Sequence, residues 1–468
     1  MDFNKNIFRA YDIRGVYPSE LNDEVAYRTA RAMAEFYPNL KTFVVASDPR
    51  VSSPALLKAV TEGLIDSGKD VINIGMAPDP LFFFTILHYK HDGGIMISGS
   101  HNPKEYNGMG LHVIREDGEL DSIIEDEMEK VAQRVASDKS FEEKEKGNVS
   151  TFEPEKAYIE YVSKRINLKK PLKIVIDSAN GACGYLPEKI FKKLGCEVQT
   201  LFGEPDGTFP NHLPDPYKEE NLVDIKKQVL ANGADVGFAF DTDGDRVAPI
   251  DNKGRTVTGD FCLLMLSRHT LKKKKGPIAH CMRVSKALLD EMEKEGVKTH
   301  FCVSFHEAVR KRILEKNAVF GGEVTYHFLF PIDYYLCDEA LFSALKLAEI
   351  ASKHDDFADY VDSLPRYFAS PEVFIDVPDN EKFELVEKLQ KYLKENNYNF
   401  IDVDGARISF DNGWALARAS NTTPFIKCRF EGVTEKDLVE IEKKSLKIFE
   451  EVGMPITDKV YKELDLEK

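Results

Sequence analysis

At 468 residues the chain is longer than one ordinary domain, and a 43% hydrophobic content lets it bury several cores rather than remain disordered. No apolar run approaches the roughly 20 residues of a membrane-spanning helix, and Met1–Gly15 lacks the pattern of a secretion signal, so a cytoplasmic protein with no membrane partner is expected. A formal net charge of −16 argues against nonspecific binding to nucleic acid, and any anionic ligand must meet positive charge concentrated locally.

In chain order, short β-branched runs alternate with charged amphipathic stretches, the pattern of α/β architecture. Thr42–Asp48 predicts a strand ending in a polar loop, with a helix starting near Ser53-Pro54. Lys173–Gly181 repeats that design, and Pro277–Ser285 repeats it less faithfully. Three such units at roughly hundred-residue spacing predict three related α/β domains with mixed sheets, a repeat too long for a solenoid. Beyond them the pattern changes to a smaller α+β domain. Its strands are expected at Val373–Val377, Phe400–Val403, Ala406–Phe410, Trp414–Arg418 and Ile426–Phe430, with a Lys/Glu-rich helix after the first and a closing helix over Glu435–Val452. The four domains are placed at 1–153, 154–255, 256–367 and 368–468. Breaks are read at Ser137–Thr151, Gly254–Asp260 and Ser363–Ser370.

The seven cysteines, Cys183, Cys196, Cys262, Cys281, Cys302, Cys337 and Cys428, form no CxxC pair and no Cys/His cluster. Buried or half-buried thiols of a reducing compartment are expected, not a zinc site or a disulfide framework. The run Lys272–Lys275 reads as a solvated loop before a strand.

Four loops carry candidate chemistry. In Gly93–Gly108 a strand at Ile95–Ile97 runs into Ser98-Gly99-Ser100-His101-Asn102-Pro103. Gly99 is expected to allow the tight curvature, and Pro103 fixes φ just beyond Ser100, the candidate nucleophile. A serine hydroxyl needs a base, a metal or positive charge to act, and His101 stands beside it. A polar turn whose Ser and Asn satisfy the backbone is the equal alternative on these residues alone.

The second loop places Asp241, Asp243 and Asp245 directly after the apolar run Gly237–Phe240 and before Arg246. Three carboxylates so spaced repel one another unless a cation joins them, and an oxygen-only set suits Mg²⁺. An EF-hand is excluded, because the sixth place from Asp241 is Arg246 and the twelfth is Asn252. An Asp-x-Asp phosphatase site is the rival, although that motif opens its domain and is followed by Thr or Val.

The third loop, Phe320–His327, has two glycines that let the backbone approach a ligand, with Glu323 and Thr325 expected to point the same way from an extended segment. That pair suits sugar hydroxyls; an ordinary turn with a surface Glu is the alternative. The fourth, Arg418-Ala-Ser420-Asn421-Thr422-Thr423-Pro424, offers a guanidinium, hydroxyls, an amide and backbone N–H groups as a cup for phosphate. Its alternative is a plain Ser/Thr/Asn turn.

Phe8–Gly15, Ser100-His-Asn-Pro103, the segment Pro205–Pro216, Asp241-x-Asp-Gly-Asp-Arg246, Gly322-Glu-x-x-x-His327 and Arg418–Pro424 together resemble the α-D-phosphohexomutase superfamily, and within it the phosphomannomutase/phosphoglucomutase branch. The resemblance spans nearly the whole chain. It implies an active site at a four-domain junction, with Ser100 carried as phosphoserine. It implies Mg²⁺ on Asp241, Asp243, Asp245 and a phosphoserine oxygen, and a phosphoryl group that passes between Ser100 and a hexose monophosphate of mannose or glucose. A bound hexose 1,6-bisphosphate, also the activator, then turns around and returns its other phosphate. His101 and Arg246 would assist at Ser100, and His306 and His327 would be candidates for proton transfer. Tyr11, Arg14, Arg283, Glu323 and Thr325 would contact substrate, and Arg418, Ser420, Asn421 and Thr422 would hold the phosphate not reacting. Partners would be small hexose phosphates, and the protein a monomer or weak homodimer.

The chain departs from the family pattern at Gly110, where a lysine is usual and Lys104 is the candidate stand-in. It also departs at Val324-Thr325-Tyr326, where Met-Ser-Gly is usual, and at Phe305, where a glycine commonly precedes the histidine. Three alternatives accompany the mutase reading: a mutase for an amino-sugar phosphate, a catalytically weak sugar-phosphate-binding or regulatory homologue, and a phosphatase in which water takes the phosphoryl group.

Overall fold

A computed structural model describes residues 4–9, 11–420 and 424–466. The chain divides into one unit made of residues up to Thr258 together with Thr325–Val361, and another made of Gly259–Val324 and the residues from Asp362 onward.

The first unit opens with β1 (Ile13–Val16), α1 (Asp23–Phe36), β2 (Thr42–Ser47), α2 (Ser53–Ile65), β3 (Asp70–Met76), α3 (Asp79–Tyr89), β4 (Gly93–Ile97), β5 (Tyr106–Ile114), β6 (Leu120–Ser122), α4 (Glu125–Ala136) and β7 (Val149–Thr151). The sheet order is β1-β5-β4-β2-β3-β7, with β6 against β5. β2 lies parallel to β3 and β4, whereas β5 runs antiparallel to β4 and β1. A parallel return needs a crossover of about a dozen residues or more, and the short link Ser98–Glu105 cannot supply one, so β5 must reverse. Helix α1 starts at Asn22, whose side chain accepts the Val25 N–H, and its apolar stripe joins Phe43, Val45, Ile95, Ile97 and Leu111 in the core.

The unit continues with α5 (Glu155–Ser163), β8 (Lys173–Asp177), α6 (Leu186–Lys193), β9 (Glu197–Leu201), α7 (Val223–Asn232), β10 (Val236–Phe240) and β11 (Val247–Asp251). β10 and β9 flank β8 in parallel and β11 returns antiparallel to β10. Val236–Phe240 is buried at every position, as an unbroken apolar run in a central strand should be. Here too the link, Asp241–Arg246, is short enough to force a reversal. Ser100 and the three aspartates therefore both sit in reversals at the C-terminal ends of central strands, where open α/β sheets place ligands.

The second unit takes up α8 (Gly259–Leu271), β12 (Ile278–Cys281), α9 (Lys286–Lys294), β13 (Thr299–Cys302), α10 (His306–Lys316) and β14 (Phe320–Gly322), with β12 parallel to both β13 and β14. The chain rejoins the first unit through β15 (Phe328–Leu329), α11 (Ala340–Ala351) and α12 (Phe357–Asp362). All of α11 is buried, including Lys346, whose ammonium lies 3.1 Å from Asp333 and 3.4 Å from Glu349.

The last stretch holds β16 (Phe368–Ala369), β17 (Val373–Asp376), α13 (Lys382–Glu395), β18 (Phe400–Ile401), β19 (Ala406–Phe410), β20 (Gly413–Ala419), β21 (Phe425–Gly432), α14 (Glu435–Glu451) and α15 (Asp458–Glu463). Its sheet, β16-β21-β20-β19-β18 with β17 also on β21, is antiparallel throughout. Ala406, Ile408, Ala417, Ile426 and Cys428 share a core with Leu389 of α13 and Phe449 of α14, and the other face carries Trp414 and Leu416 against Met282 and Phe301. The strand expected through Val403 stops at Ile401, because Asp402–Gly405 turns with Gly405 at φ +80°. All seven cysteines are buried and free, and no helix among the described residues is long and apolar enough to cross a membrane.

Candidate active site

β2 and β4 run side by side in parallel, so Asp48 and Ser98 emerge from neighbouring strand ends. The Asp48 carboxylate accepts the Gly99 N–H at 3.0 Å, and the Ser98 hydroxyl in turn accepts the Ser100 N–H at 2.8 Å. Ser100 is buried and has φ +46°, in the left-handed region that a side chain seldom adopts. The strained residue is thus the serine itself. Gly99 has a different reason to be glycine: a Cβ there would lie 2.3 Å from Arg50 Nε.

Arg50 explains how the strain is held. Its Nε donates to Asp48 at 2.9 Å, Nη1 to the carbonyls of Pro103 (2.6 Å) and Tyr106 (3.0 Å), and Nη2 to those of Ser100 and Asn102 (both 2.7 Å). A fully buried guanidinium therefore fixes the whole serine turn. From the aspartate loop, the Thr242 hydroxyl adds a bond to the Ser100 carbonyl at 2.8 Å.

His101 does not turn away from its neighbour: its Nδ1 lies 3.2 Å from Ser100 Oγ. Arg246 foremost, then burial and Arg14, hold the imidazole well below its ordinary pKa, which favours the neutral ring and makes it a weak base. Arg14 is fixed by Asp12 at 2.6 Å and by the Ser98 carbonyl at 3.1 Å.

The aspartates converge, one oxygen from each lying within 4.8 Å of the others. Asp241 Oδ1 accepts the N–H groups of Gly244 and Arg246, and Asp243 Oδ2 accepts the Ser98 hydroxyl at 2.5 Å. One further oxygen of each, Asp241 Oδ2, Asp243 Oδ1 and Asp245 Oδ1, is buried without a hydrogen-bond partner. Burial and then mutual repulsion push Asp241 and Asp243 up, the latter to about 6. Burial also opposes ionisation of Asp245, but His327, whose Nε2 lies 3.1 Å from Asp245 Oδ2, together with Asp241 and Arg246 outweighs it and draws that carboxyl down. Arg246 Nε is 3.2 Å from the same His327 nitrogen and 3.8 Å from Asp241 and Asp245. Buried carboxylate oxygens with no donor are what a hard divalent cation satisfies, so the residues fit Mg²⁺.

The third loop is a turn over Val324–Tyr326 rather than an extended segment, with Tyr326 at φ +74°. Tyr326 is buried and its hydroxyl donates to the Val257 carbonyl at 3.4 Å; Thr325 is half-buried. In the second unit Glu323 is buried, and His306 opens α10 with its ring 4.4 Å from that of Phe305. Arg283 Nη1 stands 3.5 Å from Glu372, and Arg418 Nη1 stands 3.1 Å from Asp404, which also accepts the Ser304 N–H. Ser420 is buried at the start of the fourth loop; Asn421 and Thr422 lie outside the described residues. Tyr11 is half-buried just ahead of β1. At the departure from the family pattern, a Cβ on Gly110 would lie 2.8 Å from His112 Nε2, so an imidazole fills the space a long side chain would enter; Lys104 is exposed.

Asp48, Arg50, Ser98, Thr242 and Asp404 escaped the sequence reading. One signal was present for the first two: Asp48-Pro-Arg50 follows directly on a buried strand, as Ser98 and Asp241 do.

Matches to known families extend along the chain. The models described as phosphoglucomutase/phosphomannomutase alpha/beta/alpha domains I, II and III match residues 5–142, 156–254 and 258–368, and that of the C-terminal domain matches 372–447. A phosphomannomutase/phosphoglucomutase of Pseudomonas syringae pv. tomato is 34% identical over 93% of both chains. A probable phosphoglucosamine mutase of Methanothermobacter thermautotrophicus is 33% identical over 92% of this chain and 94% of its own. The crystal structure of a phosphoglucomutase/phosphomannomutase family protein from Burkholderia thailandensis superposes with a TM-score of 0.90 at 31% identity, covering 97% of this chain and 99% of that one. With every domain matched in order and both sequence and structure similar from end to end, the chain belongs to the phosphoglucomutase/phosphomannomutase family of α-D-phosphohexomutases.

Proposed function

We propose that the protein is a phosphohexomutase, an intramolecular phosphotransferase that interconverts the 1- and 6-phosphates of mannose, glucose or both through phosphorylated Ser100. The observation that carries this reading is the buried, strained Ser100 with its hydroxyl 3.2 Å from a neutral His101, on a loop bonded to the aspartate loop.

The free hydroxyl of a hexose monophosphate attacks the phosphorus on Ser100. A new sugar O–P bond forms as the Oγ–P bond breaks, and the proton given up by the sugar hydroxyl ends on the released Ser100 Oγ, beside which His101 Nδ1 stands to relay it. The 1,6-bisphosphate reorients and its other phosphoryl group returns to Ser100 Oγ. The sugar O–P bond breaks, and the proton lost by Ser100 Oγ, relayed by His101, ends on the sugar oxygen released. Arg246 and Arg14 offer positive charge to the transferring group. Asp241, Asp243 and Asp245, with a phosphoserine oxygen, would hold Mg²⁺, which when bound neutralises charge on that group. His327 Nε2 is engaged with Asp245 and Arg246, which favours His101 over it as the proton carrier.

In the same reading Tyr11, Arg283, His306, Glu323 and Thr325 contact the sugar or its phosphates. Arg418, Ser420, Asn421 and Thr422 hold the phosphate that is not transferred, and hexose 1,6-bisphosphate serves as activator. The domains are 1–153, 154–255, 256–367 and 368–468, in a cytoplasmic monomer or weak homodimer. A mutase for an amino-sugar phosphate is the second reading, favoured by the similarity to the probable phosphoglucosamine mutase.

³¹P NMR with Mg²⁺, a trace of hexose 1,6-bisphosphate and, in turn, mannose, glucose and glucosamine 1-phosphates tests the proposal. Conversion to a 6-phosphate supports it and names the sugar. Inorganic phosphate alone would mark a phosphatase, and no conversion despite phosphorylated Ser100 would favour a sugar-phosphate-binding protein.

A further inference from the structure

The helix-free face of the C-terminal sheet carries a charge that the phosphate loop does not account for. Arg418 on β20 and Lys427 on β21 are direct cross-strand partners, and Lys427 is also paired with Phe374 on β17. Opposed residues of an antiparallel pair project to one face. Here it is the face away from α13 and α14, because the alternate residues Ala417, Ala419, Ile426 and Cys428 lie in the core beneath those helices. Arg283 approaches the same strand, its carbonyl accepting from Arg429 at 3.0 Å.

Two of these three cations have carboxylate partners, Arg418 with Asp404 and Arg283 with Glu372. Lys427 has none: among the described residues its ammonium makes no ion pair and no hydrogen bond, and lies 5.8 Å from the centre of the Phe374 ring. Burial foremost, with Arg418 and Arg283 adding their repulsion against the pull of Glu372, holds its pKa below the ordinary lysine value. Arg418 Nε is likewise buried without a hydrogen-bond partner. A half-buried ammonium beside two guanidiniums is unfavourable until an anion joins it.

We propose that Lys427 is a phosphate-binding residue, forming with Arg418 a two-cation clamp at the loop end of the β20–β21 hairpin for a dianionic phosphate monoester. The proposal rests on the reading of this hairpin as the phosphate anchor and adds to it a residue outside the loop motif. The two cations differ in kind. Arg418 is a planar fork held by Asp404, whereas Lys427 is a rotatable point charge that grips an anion without fixing its orientation. That division suits a substrate that binds by either of its phosphate positions.

The test uses the full chain with Lys427→Met, which keeps an apolar stem over Phe374, and Lys427→Arg, which restores the charge. Isothermal titration with inorganic phosphate and steady-state kinetics with a hexose 1-phosphate are read alongside Tm. Lys427→Met is expected to weaken phosphate binding and raise KM by about tenfold, the worth of one charge-assisted hydrogen bond, with kcat and Tm little changed and Lys427→Arg recovering most of the loss. Unchanged phosphate affinity and KM in a folded Lys427→Met protein would overturn the proposal, as would a Lys427→Arg protein as weak as the Met variant. If Lys427→Met weakens phosphate binding while the wild-type protein converts no hexose phosphate, the clamp stands and the mutase reading falls.

Discussion

Arg50 commits its whole guanidinium to Asp48 and to carbonyls of the serine turn, so its effect on catalysis is one of placement. A lysine cannot reproduce five divergent donors. Arg50→Lys is therefore expected to lower kcat by about ten- to a hundredfold, the effect of a misplacement near 1 Å, with a smaller change in KM; a kcat near wild type would contradict this. Ser100→Ala should abolish turnover and leave Tm close to wild type, and residual activity near normal would remove the phosphoserine from the mechanism. Asp243→Asn relieves the crowding of buried carboxylates. The metal-free variant should melt higher than metal-free wild type at pH 8, and Mg²⁺ should raise its Tm much less than it raises that of wild type. An equal Mg²⁺ response in both would refute the metal assignment. Ser100 and the aspartates were legible because their chemistry is contiguous in the chain. Arg50 was not, since its partners on the serine turn stand 50 to 56 residues away and an isolated arginine reads as a surface cation. The left-handed Ser100 was hidden by Gly99, the residue that composition makes the natural bearer of curvature.

Helix α11 is buried on every side, and its N-cap is a carboxylate. Glu339 accepts the Phe342 N–H at 3.0 Å and the Tyr158 hydroxyl at 2.9 Å, yet burial raises its pKa to about 7. A carboxyl with a raised folded-state pKa binds its proton more tightly folded than unfolded, so its contribution to stability falls as pH rises from its ordinary value near 4.5 through about 7. Glu339→Gln, which cannot ionise, should gain on wild type across that window, by up to about 3 kcal/mol at pH 8 relative to pH 4.5. Thermal melts that differ by the same amount at both pH values would contradict the burial argument. Among the elements, Ala406–Phe410 matches its expected strand to the residue, because a half-buried strand announces itself by composition at every place. Strand β18 and the loop at Val324–Tyr326 are less extended than their sequence predicts. Gly405 and Tyr326 both take positive φ, and a tyrosine there gives no warning.

The chain leaves the first unit after Thr258, returns at Thr325 and leaves again after Val361. Three repeated strand–loop–helix designs make the α/β class readable, but this return depends on α11 packing beneath strands fixed a hundred residues earlier, which no local pattern encodes. Within the second unit, a Cβ on Gly259 would lie 2.0 Å from the Val324 carbonyl oxygen, so outgoing and returning chain touch backbone to backbone. Gly259→Ala should lower stability by about 2 kcal/mol or more, seen as a reduced Tm in calorimetry; an unchanged Tm would mean the two strands of chain separate freely. The interleaving also sets an order of events at the ribosome. Asp245 is made 82 residues before His327, the group that compensates its charge. At common elongation rates the aspartate loop waits on the order of ten seconds for that partner to emerge. Through that interval a nascent chain holding the triad has Arg246, protons and ambient cations to quiet it but not His327, so the acidity and magnesium content of the medium bear on how the protein is born as well as on how it works.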